Sequence, residues 1–164
     1  MKKCEFPIKL LVADCDGVLT DGSFYVDQNG SEIKRFHTYD GVGFRKFQQM
    51  GVNVAIISGE DSASLQKRAE KLKIKDCYLG VDDKAQVLTG LMQRYAVSPD
   101  LVGYCGDDEN DFECLKMVRF PFCPSSAPLK TKQMKNIHVT QSKGGSGVIR
   151  EVYEYLEELI PENK

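Results

Sequence analysis

Two aspartates, Asp14 and Asp16, close the first long apolar run of the chain, in the stretch LLVADCDGVLTDG. In an extended segment side chains two apart point the same way, so these carboxylates can converge. Such a pair is tolerated when one carboxyl is protonated or a cation neutralises both, and oxygen donors of this kind suit hard Mg²⁺. The pair therefore predicts a magnesium site, although Asp and Gly also make ordinary turns and helix caps, so for this motif alone the two readings stand level.

Three further segments carry compatible chemistry. VAIISGE ends in Ser58-Gly59, a hydroxyl and backbone amides suited to a phosphate oxygen, or a plain loop. GVDDKAQVL places Lys84 in what reads as the first turn of a helix, where a cation opposes the helix dipole; either an external anion holds it there or it pairs on the surface with Asp82 and Asp83. LVGYCGDDENDFECL follows a strand-like run with Asp107, Asp108, Asn110 and Asp111, a metal loop in which some acids also cap a helix. His37 and His138 lie far apart and read as surface or loop groups.

These residues need strands to align them. IKLLVAD, VNVAIIS, DCYLG, LVGYCGD, RFPFC and IHVT read as strands, most of them apolar enough for burial on both faces. GVGFRKFQQM, SASLQKRAEKL, KAQVLTGLMQRY, DFECLKMV, APLKTKQM and GVIREVYEYLEELI read as intervening helices. The alternation predicts an α/β, Rossmann-like parallel sheet flanked by helices, whose carboxyl edge is the usual ligand site. Between Ser23 and Phe36 two alternating runs meet at Asn29-Gly30, a hairpin whose two turn residues should both tolerate positive φ. The 164 residues suit a single domain spanning 1–164, with PENK fraying at the end.

In this order and at these strand ends, DxD, Ser, Lys and GDxxxD resemble the motifs of the haloacid-dehalogenase superfamily of phosphotransferases. The resemblance implies that Asp14 is the nucleophile, forming an aspartyl-phosphate, and that Asp16 is the general acid/base. Ser58 and Lys84 would hold the phosphoryl oxygens. Asp14, the backbone carbonyl of Asp16 and Asp107 would bind Mg²⁺, with Asp111 supporting the metal site. The stretches from Asp16 to Ser58 and from Ser58 to Lys84 are too short for a cap domain, so another subunit is expected to supply the lid, with the hairpin as contact.

DGVLTDG, DGVGFR, GVDDK, GDDENDFECL and KGGSGVIRE further resemble the capless subclass acting on phosphorylated eight- and nine-carbon sugar acids. That likeness implies a homotetramer with sites at subunit borders, in lipopolysaccharide or sialic-acid-type biosynthesis. It also implies a substrate site lined by Asp16, Asp40, Gly41, Arg45, Gly59, Glu60, Arg68 and Lys84, with the Gly144–Gly147 segment either approaching a neighbour's site or forming a flexible start to the last helix. Where eight-carbon enzymes usually carry Arg after the second-motif glycine, this chain has Glu60, which either reads a nine-carbon substrate, with Lys71 neutralising it, or caps the next helix. HTYDG, in place of the family's NVRDG, departs in the same direction.

Bulk properties narrow the alternatives. A net charge of −2 leaves no basic footprint for nucleic acid, no run approaches a membrane span, and the chain reads as cytoplasmic. The six cysteines, Cys4 included, are scattered and read as reduced small hydrophobes. A receiver domain is disfavoured by motif order. A noncatalytic, oligomerising homologue associated with a sugar-acid cytidylyltransferase is disfavoured because Asp14, Asp16, Lys84 and Asp107 are all present.

Overall fold

In the computed structural model, residues 6–161 are described; Cys4 and residues 162–164 lie outside them. Among the described residues eight strands form, β1 (Leu10–Ala13), β2 (Tyr25–Val26), β3 (Glu32–Ile33), β4 (Asn53–Ile57), β5 (Asp76–Tyr78), β6 (Val102–Cys105), β7 (Phe120–Cys123) and β8 (His138–Val139). Six α-helices accompany them, α1 (Thr38–Gln49), α2 (Ala63–Lys71), α3 (Lys84–Tyr95), α4 (Phe112–Met117), α5 (Leu129–Lys132) and α6 (Val148–Glu158). Six strands make one wholly parallel sheet in the order β5-β4-β1-β6-β7-β8, while β2 and β3 pair antiparallel as a separate hairpin.

The continuous apolar run of β1 has its explanation in this sheet. Leu11 and Ala13 enter a core with Phe44 and Phe47 of α1, Leu65 of α2 and Val152 and Leu156 of α6. Leu10 and Val12 enter a second core with Leu88 and Leu91 of α3 and Leu115 of α4. A strand covered on both faces has no position for a polar residue until it ends, and β1 ends at Asp14. Ala13 lies level with Ile56 of β4 and Cys105 of β6, so the loops after all three strands leave from one edge.

Several local details differ from the sequence reading. Helix α1 begins three residues before the expected Gly41, because the His37 side chain caps it by accepting from the backbone N–H of Tyr39 at 3.2 Å. At the hairpin tip only Gly30 has positive φ, +80°. Asn29 is spared because the Asp27 carboxylate accepts from the backbone N–H groups of Asn29 and Ser31, both at 2.8 Å, and builds the bend itself. The strands that flank it are only two residues each. Cys15, Cys77, Cys105, Cys114 and Cys123 are free thiols, all but the half-buried Cys77 fully buried. Among the described residues no helix is long and apolar enough to cross a membrane.

Candidate active site

The loops at the carboxyl edge of the sheet enclose a cavity of about 530 Å³ bounded by Asp14, Asp16, Ser58, Glu60, Asp107 and Asn110, among others. Backbone hydrogen bonds continue the strands just far enough to fix its floor: Asp14 donates to the Cys105 carbonyl at 2.8 Å, Ser58 to Tyr78 at 2.9 Å and Gly106 to Phe122 at 3.1 Å. Beyond that the loop after β1 turns sharply at Gly17, whose φ is +87°. A Cβ there would lie 1.9 Å from Oδ2 of Asp107, so only glycine lets the first and fourth motifs meet.

Carboxylate oxygens of Asp14, Asp107 and Asp111 lie within 4.8 Å of one another. Burial, reinforced by the charge of Asp111, holds the Asp14 carboxyl well above the usual carboxylate range, with Lys84 opposing the rise. Burial and then the Asp111 and Asp108 charges push Asp107 up to about 7. Three carboxylates share one ammonium, Lys84, whose Nζ sits 2.9 Å from both Asp14 Oδ1 and Asp111 Oδ1. Burial alone would depress that lysine, but the two carboxylates more than reverse the effect and raise it. Lys84 is thus neither solvated nor paired with Asp82 or Asp83. Helix α3 starts there because Asp83 caps it, accepting from the Gln86 N–H at 2.9 Å.

Asp111, fully buried, is committed to protein donors. Its Oδ1 accepts from Lys84 and from the Tyr104 hydroxyl at 2.7 Å, and its Oδ2 from the Asp107 backbone N–H at 3.0 Å. It therefore ties Lys84, β6 and the Asp107 loop together, while Asp14 and Asp107 keep more of their coordination capacity. Thr131 secures the same loop by donating to the Asp107 carbonyl at 2.7 Å. Asp108 caps the following 3₁₀ turn, the structural share expected for some acids of this loop. The negative excess and all-oxygen donors of this cluster fit a hard dication such as Mg²⁺.

Asp16 lines the cavity but stands apart from that carboxylate cluster. Thr20 donates to its Oδ1 at 3.1 Å, and Lys34, from the end of the hairpin, pairs with its Oδ2 at 2.5 Å. Ser58, almost fully buried, accepts from the Glu60 N–H at 3.2 Å. Glu60 is exposed at the cavity, forms no ion pair with Lys71 and does not cap α2; that cap is Ser62, which accepts from Leu65 at 3.3 Å.

Other expected substrate contacts gather elsewhere. Asp40, Gly41, Arg45 and Arg68 are not walls of this cavity within one chain. Asp40 is buried and accepts from the Ile149 N–H of α6 at 2.9 Å, Arg68 donates to the His37 carbonyl at 3.1 Å, and Arg45 is exposed on α1. The glycine-rich segment before α6 folds back on its own chain: a Cβ on Gly144 would meet the Gly17 carbonyl at 2.0 Å, and Gly145 donates to the Val18 carbonyl at 2.9 Å. Lys34, Thr20, Tyr104 and Thr131 escaped sequence reading; each is an ordinary residue of a hairpin, loop, strand or short helix, and nothing in its sequence context signalled a role.

No protein-family model matches the chain. A 3-deoxy-D-manno-octulosonate 8-phosphate phosphatase, KdsC, of Haemophilus influenzae is 36% identical over 149 residues, covering 91% of this chain and 82% of the relative. A solved Vibrio cholerae protein described as a 3-deoxy-D-manno-octulosonate 8-phosphate phosphatase superposes with a TM-score of 0.90 at 37% identity, covering 94% of this chain and 86% of that one. The Moraxella catarrhalis phosphatase of the same description, solved with magnesium, phosphate and KDO, superposes with a TM-score of 0.88 at 32% identity, over 94% and 88% of the two chains.

Proposed function

The chain belongs to the KdsC phosphatases of the haloacid-dehalogenase superfamily, and from that premise we propose that it hydrolyses 3-deoxy-D-manno-octulosonate 8-phosphate through an aspartyl-phosphate on Asp14. The observation that carries this reading is the buried Asp14, Asp107, Asp111 and Lys84 cluster opening into a polar cavity at the carboxyl edge of the sheet.

The cluster gives each residue a task. The Asp14 carboxylate attacks phosphorus as the ester P–O bond breaks, and Asp16 passes a proton to the departing sugar oxygen. Water then attacks the phosphoryl group on Asp14, Asp16 takes a proton from that water, and inorganic phosphate leaves. Lys84 and the Ser58 region hold the phosphoryl oxygens, with Lys84 also opposing the protonation of Asp14. Asp14, Asp107 and the Asp16 carbonyl would hold Mg²⁺, with Asp111 orienting the set. The ion supplies charge neutralisation for attacking and phosphoryl oxygens.

Glu60 favours a second reading, a nine-carbon sugar-acid 9-phosphate, because it stands at the cavity rim where eight-carbon enzymes usually carry the Arg that would grip their substrate's carboxylate. Assembly as a homotetramer is part of the proposal: Phe24, Tyr25, Val26 and Ile33 of the hairpin are all more than half exposed, an apolar surface suited to a second copy. Phosphate release from eight- and nine-carbon esters, with Mg²⁺ and with a chelator, tests substrate and metal together. Asp14→Asn should abolish turnover while preserving the fold. Near-normal turnover in that variant would refute the nucleophile assignment, and light scattering would count the subunits.

A further inference from the structure

Lys34 is the second buried lysine of the site, and no motif contains it. Its side chain is only 1% exposed, while the Asp16 carboxylate it meets at 2.5 Å is 28% exposed and faces the cavity. Sequestering an ammonium from water is unfavourable unless its partners compensate. Here the compensation comes from Asp16 and, at 3.6 Å, from Glu32 of β3, two residues earlier. Glu32 in turn accepts from the Ser62 hydroxyl at 2.8 Å, and its backbone carbonyl accepts from Ser64 at 3.0 Å. Strand β3 thus forms a strut from the first motif to the start of α2, just beyond the Ser58 loop. A two-residue strand with Ile33 facing solvent contributes little core of its own.

Resting on the reading of Asp16 as the general acid/base, we infer that Lys34 is a positioning residue for that group. Thr20 holds one carboxylate oxygen of Asp16 and Lys34 the other, so the side chain is fixed in a single orientation at the cavity wall. Proton transfer requires hydrogen-bond reach, and displacement by about 1 Å is enough to reduce turnover by about a hundredfold. Lys34 meets no requirement of the phosphoryl group itself, since Lys84 already supplies the cation beside Asp14. Its loss should therefore affect the proton-dependent steps and spare the attack on phosphorus.

Comparing two leaving groups separates these steps. The alkoxide of 3-deoxy-D-manno-octulosonate 8-phosphate needs a proton on departure, whereas p-nitrophenolate leaves without one. In Lys34→Met, and in Lys34→Gln as a second variant, kcat on the sugar phosphate should fall about ten- to hundredfold with KM little changed. The initial burst of p-nitrophenolate from p-nitrophenyl phosphate should persist, and Asp16→Asn should show the same division. Equal loss of burst and turnover in the Lys34 variants, unchanged turnover where Asp16→Asn is impaired, or loss of the folded state in both variants by circular dichroism would each overturn the inference. Full turnover of the sugar phosphate by Asp16→Asn would instead refute the acid/base reading on which it rests.

Discussion

Replacing Lys84 with Met keeps the length of the side chain and removes the one cation, among the described residues, bonded to the Asp14 and Asp111 carboxylates. The side chains of Lys84, Asp14 and Asp111 are 1%, 7% and 0% exposed, so the change strands buried anions. Removing one partner of such a pair costs about 3–5 kcal/mol. At about 2–4 °C per kcal/mol for a domain of this size, the melting temperature in chelator should fall by about 6–20 °C. Asp14 provides partial relief, because its carboxyl already binds a proton more readily than a free aspartate and will do so further without the lysine. A group whose folded pKa lies above its unfolded one loses stability as pH rises through that interval, so the deficit should be larger at pH 8 than at pH 6. Mg²⁺ should narrow it, since ligand at about a hundred times Kd adds about 2.7 kcal/mol and the variant offers a more negative site. Thermal melts at both pH values, in chelator and in Mg²⁺, provide the assay. A fall of less than about 2 °C in chelator, or one independent of pH, would refute the view of Lys84 as the counter-ion of a buried acidic cluster.

Two further outcomes follow from the same cluster. With Asp107 pushed up to about 7, protons compete with metal, so the Kd for Mg²⁺ should rise by up to about tenfold for each pH unit below 7 and be nearly constant above it, as read by titration calorimetry. Gly17→Ala should lower Mg²⁺ affinity and activity by about tenfold or more, because the new methyl occupies the position of the Asp107 carboxylate, whereas Gly22→Ala meets nothing nearer than 4.0 Å and should retain metal binding in the same titration.

The parts of the fold that were legible in the sequence share a physical origin. A strand buried on both faces is written as an unbroken apolar run, and its end is marked by the first residue that cannot be buried without a partner: Asp14 after β1, Ser58 after β4, Asp107 beyond β6. Those endpoints align because parallel strands must, so sheet and motif residues were readable together. Contacts made across long sequence separations left no such trace. Lys34 reaches Asp16 from just past a hairpin strand of two residues, and Thr131 reaches Asp107 with a side chain that elsewhere would be filler. Of the two readings of Glu60, the helix cap is not the one taken, since Ser62 caps α2. Asp40, placed at the substrate site by the family resemblance, accepts from the Ile149 N–H at the start of α6, a contact its local sequence did not signal.

Because Gly144 and Gly145 pack beneath Gly17 and Thr20, the loop after β1 is braced by a segment far downstream in the sequence. During translation Asp14 leaves the ribosome early, but its loop lacks this support until the residues ahead of α6 have emerged and α6 has docked on α1. A nascent chain stalled before residue 144 would carry Asp14, Asp16, Ser58, Lys84 and Asp107 but not the segment that packs against the loop after β1.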